Sequence, residues 1–144
     1  MIRKRFSWDP DGGAAACELV YKGRIFKGEA HCHWDDYDFQ SERTGCFIAE
    51  CRAELAMLKY RKNCELKPAL QALKHTYGLL VQNSKYNPDS YESKTLYKQI
   101  QLTNFDLITV SNEITTLTQN LKTYIEGKEK LYQRLRKAKN NKSE

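Results

Sequence analysis

The residues best suited to chemistry fall between positions 31 and 51. His31-Cys32-His33, Asp35, Cys46 and Cys51 are all of types that hold zinc, through imidazole, carboxylate or thiolate. Their spacing argues against a centre. On a strand, His31 and His33 face opposite to Cys32, no Cys-x-x-Cys pair occurs, and Cys46 and Cys51 diverge around a helix. A site built from His31, His33 and a distant helix residue stays open. Cys17 and Cys32 suit small apolar core positions, while Cys64 and His75 read as plain helix positions. A Cys–His nucleophile needs a positioned base and oxyanion donors, and nothing in the pattern marks them. Gly12-Gly13 lacks the spaced glycines and the Lys of a phosphate loop. Asp35, Asp36 and Asp38 could be drawn as paired carboxylates, but clusters in aromatic loops are more often exposed than catalytic. The expectation is a binding protein and not an enzyme, with no catalytic residue, no metal and no cofactor.

Two charged segments carry the binding reading. Trp34, Asp35, Asp36, Tyr37, Asp38, Phe39 and Glu42 alternate aromatics with carboxylates, which suits a loop that meets an Arg-rich partner surface. A blander alternative has Trp34 and Phe39 plugging the sheet–helix junction with the carboxylates in water. Residues 122–144 hold eight basic against three acidic side chains, nearly all of the +6 net charge. Arg3, Lys4 and Arg5 with Lys130, Arg134, Arg136, Lys137 and Lys139 are therefore candidate phosphate contacts. The alternative is a solvated helix end whose cations complement the macrodipole.

Composition bounds these readings. At 144 residues, with 40% apolar and 29% charged side chains, the chain has room for one domain, or one small domain plus an appendage, and has ordinary globular usage. No apolar run approaches the ~18 residues of a membrane span. Basic residues near Met1 are not followed by an apolar stretch, so a cytoplasmic chain with reduced thiols is expected.

The elements that must position these residues divide near residue 43. Residues 1–43 hold four of the seven glycines and the alternating patterns: Ile2, Phe6 and Trp8; then Cys17, Leu19 and Tyr21; then Phe26, Gly28, Ala30 and Cys32. Asp9-Pro10-Asp11-Gly12-Gly13 and Lys22-Gly23 separate them as turns. The result is a three-stranded meander, with Gly28 and Ala30 leaving room for something close above. Residues 44–144 read as a helical hairpin with a basic tail. The first helix runs from about Gly45 to Val81, capped by Thr44 or Ser41, with stripes Ile48-Cys51-Leu55-Leu58 and Leu66-Leu70-Leu73-Tyr77-Leu80 separated by an irregular hop at Lys62. Pro68 is expected to kink or break it. Asn87-Pro88 marks the start of the second helix. Its seam holds Ile100, Leu107, Ile114, Leu121 and Leu135 at one heptad position, and Leu96, Val110, Leu117, Tyr124 and Leu131 at the other. Thr103 and Lys128 are the exceptions. Residues 128–138 should overhang the hairpin and pack on the sheet, pair with another chain or hang in solvent. The fold class is thus α+β, a short antiparallel meander packed on a long, coiled-coil-like antiparallel hairpin.

A resemblance adds context. Gly28-Glu29-Ala30-His31-Cys32-His33, Asp35-Asp36, Asp38-Phe39, Ser41-Glu42-Arg43-Thr44-Gly45-Cys46, Ala49-Glu50 and Arg52-Ala53 resemble a group of small accessory proteins of phages and prophages of Gram-positive bacteria. Glu65-Leu66-Lys67-Pro68 and Asn87 through Glu92 extend the likeness over most of the chain. The group carries Pro after the His, where this chain has Trp34. The resemblance implies a counter-defence protein that inhibits a host protein or ribonucleoprotein, such as a bacterial immune effector, in the manner of an anti-CRISPR inhibitor. Carboxylates would then occupy a nucleic-acid-binding surface. The rival expectations are a nucleic-acid-binding accessory protein using the basic tail, and a scaffold that dimerises through the second helix's overhang.

Overall fold

The computed structural model describes residues 2–32 and 41–142. The chain is α+β. Three strands, β1 (Arg3–Asp9), β2 (Ala14–Tyr21) and β3 (Arg24–His31), form one antiparallel sheet in the order β1-β2-β3. Helices α1 (Glu42–Tyr60), α2 (Lys67–Val81) and α3 (Tyr91–Lys142) follow, with a π-helical segment, Arg61–Leu66, between α1 and α2. The change from strand to helix falls close to residue 43, but compactness does not follow that division. Residues 1–57 and 115–144 form one unit, and residues 58–114 form a second.

In the first unit the turns are as chemistry requires. The Asp11 amide donates to Asp9 Oδ1 at 3.1 Å, and Gly13 takes φ +62°. Lys22 and Gly23, at φ +50° and +74°, make a two-residue hairpin loop of the primed type that matches strand twist. Register places Cys17 opposite both Phe6 and Gly28, and Ala15 opposite both Trp8 and Ala30. The inner face therefore reads Trp8, Ala15, Cys17, Leu19, Gly28 and Ala30. Cys17 and Leu19 are fully buried. The outer strand β1 is the least covered, leaving Ile2 and Phe6 49% and 45% exposed where the alternation suggested a half-buried strand.

Helix α1 covers that face at short range because both sides use small residues. A Cβ on Gly28 would collide with the Ala49 carbonyl oxygen and lie 2.5 Å from the Ala53 nitrogen. A Cβ on Gly45 would lie 2.9 Å from the Ala15 Cβ and 3.0 Å from the Trp8 ring. Both glycines are therefore contact points of sheet and helix. Ala49 and Ala53 are completely buried there. Two polar ties fix the crossing. Lys4 Nζ donates to Glu50 Oε1 and Glu54 Oε1 at 2.6 and 2.5 Å, and the Arg52 guanidinium donates to the Glu29 carbonyl at 2.6 Å.

In the second unit, of the kink or break expected at Pro68, the break does not occur. The backbone stays helical through it, with Tyr60, Leu66 and Lys67 all right-handed and the Lys67 amide donating to the Lys62 carbonyl. Eight residues from Leu58 to Leu66 would advance a regular helix about 80° beyond two turns. The wider π turns absorb that excess and restore the phase of the stripe. Pro68 follows these turns directly, in the first turn of α2. The second helix begins later than expected. Asn87 Oδ1 accepts from the Asp89 amide in a turn, and Ser90 is the cap, its Oγ accepting from the Ser93 amide at 3.2 Å. Tyr77, Tyr86 and the buried Ser93 form a hydroxyl chain, 3.4 and 3.3 Å, beside the Tyr77–Tyr97 ring contact. Among the described residues no helix is long and apolar enough to cross a membrane.

Candidate functional site

The first unit carries a crevice of about 190 Å³ at one end of the sheet. Its walls come from three directions. Trp8 and Ala30 reach it from the inner face of the sheet, followed by His31 and Cys32 at the end of β3. Ser41, Thr44, Gly45 and Ile48 supply the first turns of α1, and Ile125, Lys128, Glu129 and Tyr132 one face of α3. Local sequence explains each wall. The Cys32 amide donates to the Gly13 carbonyl at 2.7 Å, which holds the end of β3 in line. Ser41 caps α1, its Oγ accepting from the Thr44 amide at 3.4 Å and its carbonyl from the Gly45 amide at 2.9 Å. Tyr124 ties α3 to α1, its ring 4.5 Å from Phe47 and its hydroxyl donating to Thr44 Oγ1 at 3.5 Å. Lys128 Nζ lies 5.5 Å over the Tyr124 ring.

The crevice's volume falls below the ~300 Å³ at which small-molecule sites usually begin. It fits a side chain or a short peptide turn better than a nucleotide-sized group. Its polar groups, His31, Ser41, Thr44, Lys128, Glu129 and Tyr132, offer both donors and acceptors around an apolar interior. Burial pushes the thiols of Cys17, Cys46 and Cys51 above their ordinary range, and the carboxylates nearby, Glu50 among them, add to the shift. These three cysteines are therefore protonated at neutral pH, weak as nucleophiles and as metal ligands. Among the described residues no group of three His, Cys, Asp or Glu side chains converges on a metal position.

Of the acidic aromatic stretch, Trp34, Asp35, Asp36, Tyr37, Asp38 and Phe39 lie outside the described residues, as does His33. Glu42 is exposed in the first turn of α1. The two described residues that flank the segment, Cys32 and Ser41, both line the crevice. The candidate phosphate contacts separate. Arg3 and Arg5 are exposed on the outer face of β1, whereas Lys4 turns inward to Glu50 and Glu54. On α3, Lys130, Arg134 and Lys137 share one exposed face at spacings of four and three, while Arg136 and Lys139 follow the line of Lys128 and Tyr132.

Compared with known proteins, the chain matches no family model, no curated sequence and no solved structure. The geometry has to speak for itself. It adds Trp8, Ser41, Ile125, Lys128 and Tyr132 to the site, none of which the sequence reading assigned to it. The available signal was Lys128, a cation in an apolar seam, which is where α3 turns from core packing to lining the crevice. The 128–138 stretch, expected to overhang, thus begins by packing beside the sheet.

Proposed function

We propose that this chain is a non-enzymatic phage accessory protein that disables a host defence complex by direct contact, in the manner of an anti-CRISPR inhibitor. Its recognition surface is the crevice end of the first unit together with the acidic aromatic stretch rooted there. The observation that carries this reading is that Cys32 and Ser41, from two different walls, both line the crevice, as do Trp8 and Tyr132. Three carboxylates and three aromatics fall within the eight residues between Cys32 and Ser41. Aromatic anchors with flanking charge are the composition of interface hot spots, and carboxylates in series oppose an Arg-lined nucleic-acid channel. Localisation follows the partner, in the cytoplasm of an infected bacterium. The test is plaque formation on a host whose immunity targets the infecting phage. Expression of the chain is expected to raise plaquing by at least tenfold, and unchanged plaquing across the host's defence systems would count against it.

The same reading takes the helices as an antiparallel coiled-coil-like hairpin. In residues 58–114 the short 82–90 connection and the Tyr77–Tyr97 contact support it, and in the first unit the Phe47–Tyr124 contact does.

A second reading has its own observation. Lys130, Arg134 and Lys137 form an exposed basic face with no ion pair to any described residue. Three phosphate contacts there give duplex affinity a log–log salt slope of about −3. Absence of binding at low salt removes this reading.

A further inference from the structure

We infer that the first part of α3 carries a self-association surface, and that its occupant is a second copy of this chain in antiparallel, two-fold contact. In the second unit α3 turns its seam inward through Val110, which is 2% exposed. On the opposite side lie Leu102, Phe105 and Ile108, which are 55%, 66% and 52% exposed. Steps of three residues keep these side chains within one third of the helix circumference. A helix apolar on one side only has no use for them.

Charge on this face and along its flank selects the occupant. Lys94 and Lys98 precede the apolar residues, and Glu113 follows them; all three are exposed and none enters an ion pair with a described residue. Asp106 lies to the side of the stripe, on the flank shared with Glu113. A parallel copy would set Lys98 beside Lys98. An antiparallel copy reverses the order and brings Lys98 of each chain towards Glu113 of the other, twice per dimer. The apolar residues obey the same operation. With Phe105 on the axis, Leu102 of one copy lies level with Ile108 of its mate, on either side of the paired Phe105 rings. A surface whose charges complement one another only when reversed fits an antiparallel two-fold interface, in which both copies use the same patch. This inference does not depend on the partner proposed above, since it uses no residue of the crevice.

Sedimentation velocity on the full chain, from low micromolar to several hundred micromolar, tests it. The wild type is expected to shift from monomer to dimer across that range. Phe105→Glu is expected to weaken dimerisation at least tenfold with an unchanged circular dichroism spectrum, because the side chain is exposed. Lys98→Glu and Glu113→Lys are each expected to weaken it, and the double exchange to restore it. A wild type that stays monomeric throughout overturns the inference. So does a dimer indifferent to Phe105→Glu but lost on ending the chain at Gly127, which would place the contact in the last turns of α3. Loss of a captured foreign protein on Phe105→Glu, with no self-association, would assign the face to that protein instead.

Discussion

Gly28 and Gly127 show how differently one residue type is used. Gly28 is where α1 rests on the sheet, and any side chain there meets backbone that cannot swing away. Gly28→Ala is expected to cost about 2 kcal/mol or more, read as a lower urea midpoint. Gly127 lies inside α3 with open space where a Cβ would go. Gly127→Ala is expected to raise stability by about 0.5–1 kcal/mol in the same measurement. The room above Gly28 and Ala30 was visible in the alternation, because small residues on an inward parity invite a close neighbour. That Ala49 and Ala53 would be the neighbours was not, since helix spacing does not say which turn crosses which strand. Lys4 has a comparable history. It shares the inward parity of Phe6 and Trp8, and its charge is met by Glu50 and Glu54. Partial burial opposes that charge, but the hydrogen bonds to Glu50 and Glu54, and their negative charge, outweigh it and raise the ammonium above the ordinary 10.5. A raised value means the contribution is fully present below pH 10.5 and is lost as pH climbs past it. Lys4→Met is accordingly expected to cost about 0.5–1 kcal/mol, constant from pH 6 to 9, with the gap to wild type closing above pH 10.5. Denaturation at a series of pH values reads this directly.

The strands and the helix ends illustrate which local signals survive tertiary packing. Parity placed Cys17, Leu19, Gly28 and Ala30 on one face, and register puts them there. Parity could not reveal that β1 is a sparsely covered edge, because coverage depends on where α1 lies. Ser41 emerged as the cap of α1, one of the two candidates. At α3 the stronger-looking signal lost: Asn87-Pro88 spends its side-chain acceptor on a turn, and Ser90 caps three residues later. Ser90→Ala is expected to cost about 1 kcal/mol, and Asn87→Ala clearly less, in urea unfolding. Pro68 was expected to bend or break the first long helix. The hop at Lys62 already contained the alternative, since a stripe displaced by one residue can be re-phased by a π turn without leaving helical geometry.

Charge is where the chain's averages mislead. A net +6 suggests a basic protein, yet most of that excess belongs to residues 122–144, and the structure divides even this cluster between faces of α3. Lys130, Arg134 and Lys137 stay together on an exposed face, whereas Lys128 is drawn to Tyr124 and the crevice. Asp35, Asp36 and Asp38 belong to the stretch between Cys32 and Ser41, two residues that line that crevice. The binding reading was therefore visible in the sequence as a composition, an acidic aromatic segment, but the crevice was not. It is assembled from Trp8, Ser41 and Tyr132, residues more than thirty positions apart that no local pattern connects. The most direct test of that reading is quantitative affinity capture from host lysate. Wild type is compared with a chain carrying Asp35→Lys, Asp36→Lys and Asp38→Lys. A specific partner enriched by the wild type and reduced at least tenfold by the triple reversal is the predicted result. The same partner retained at the same level would contradict it.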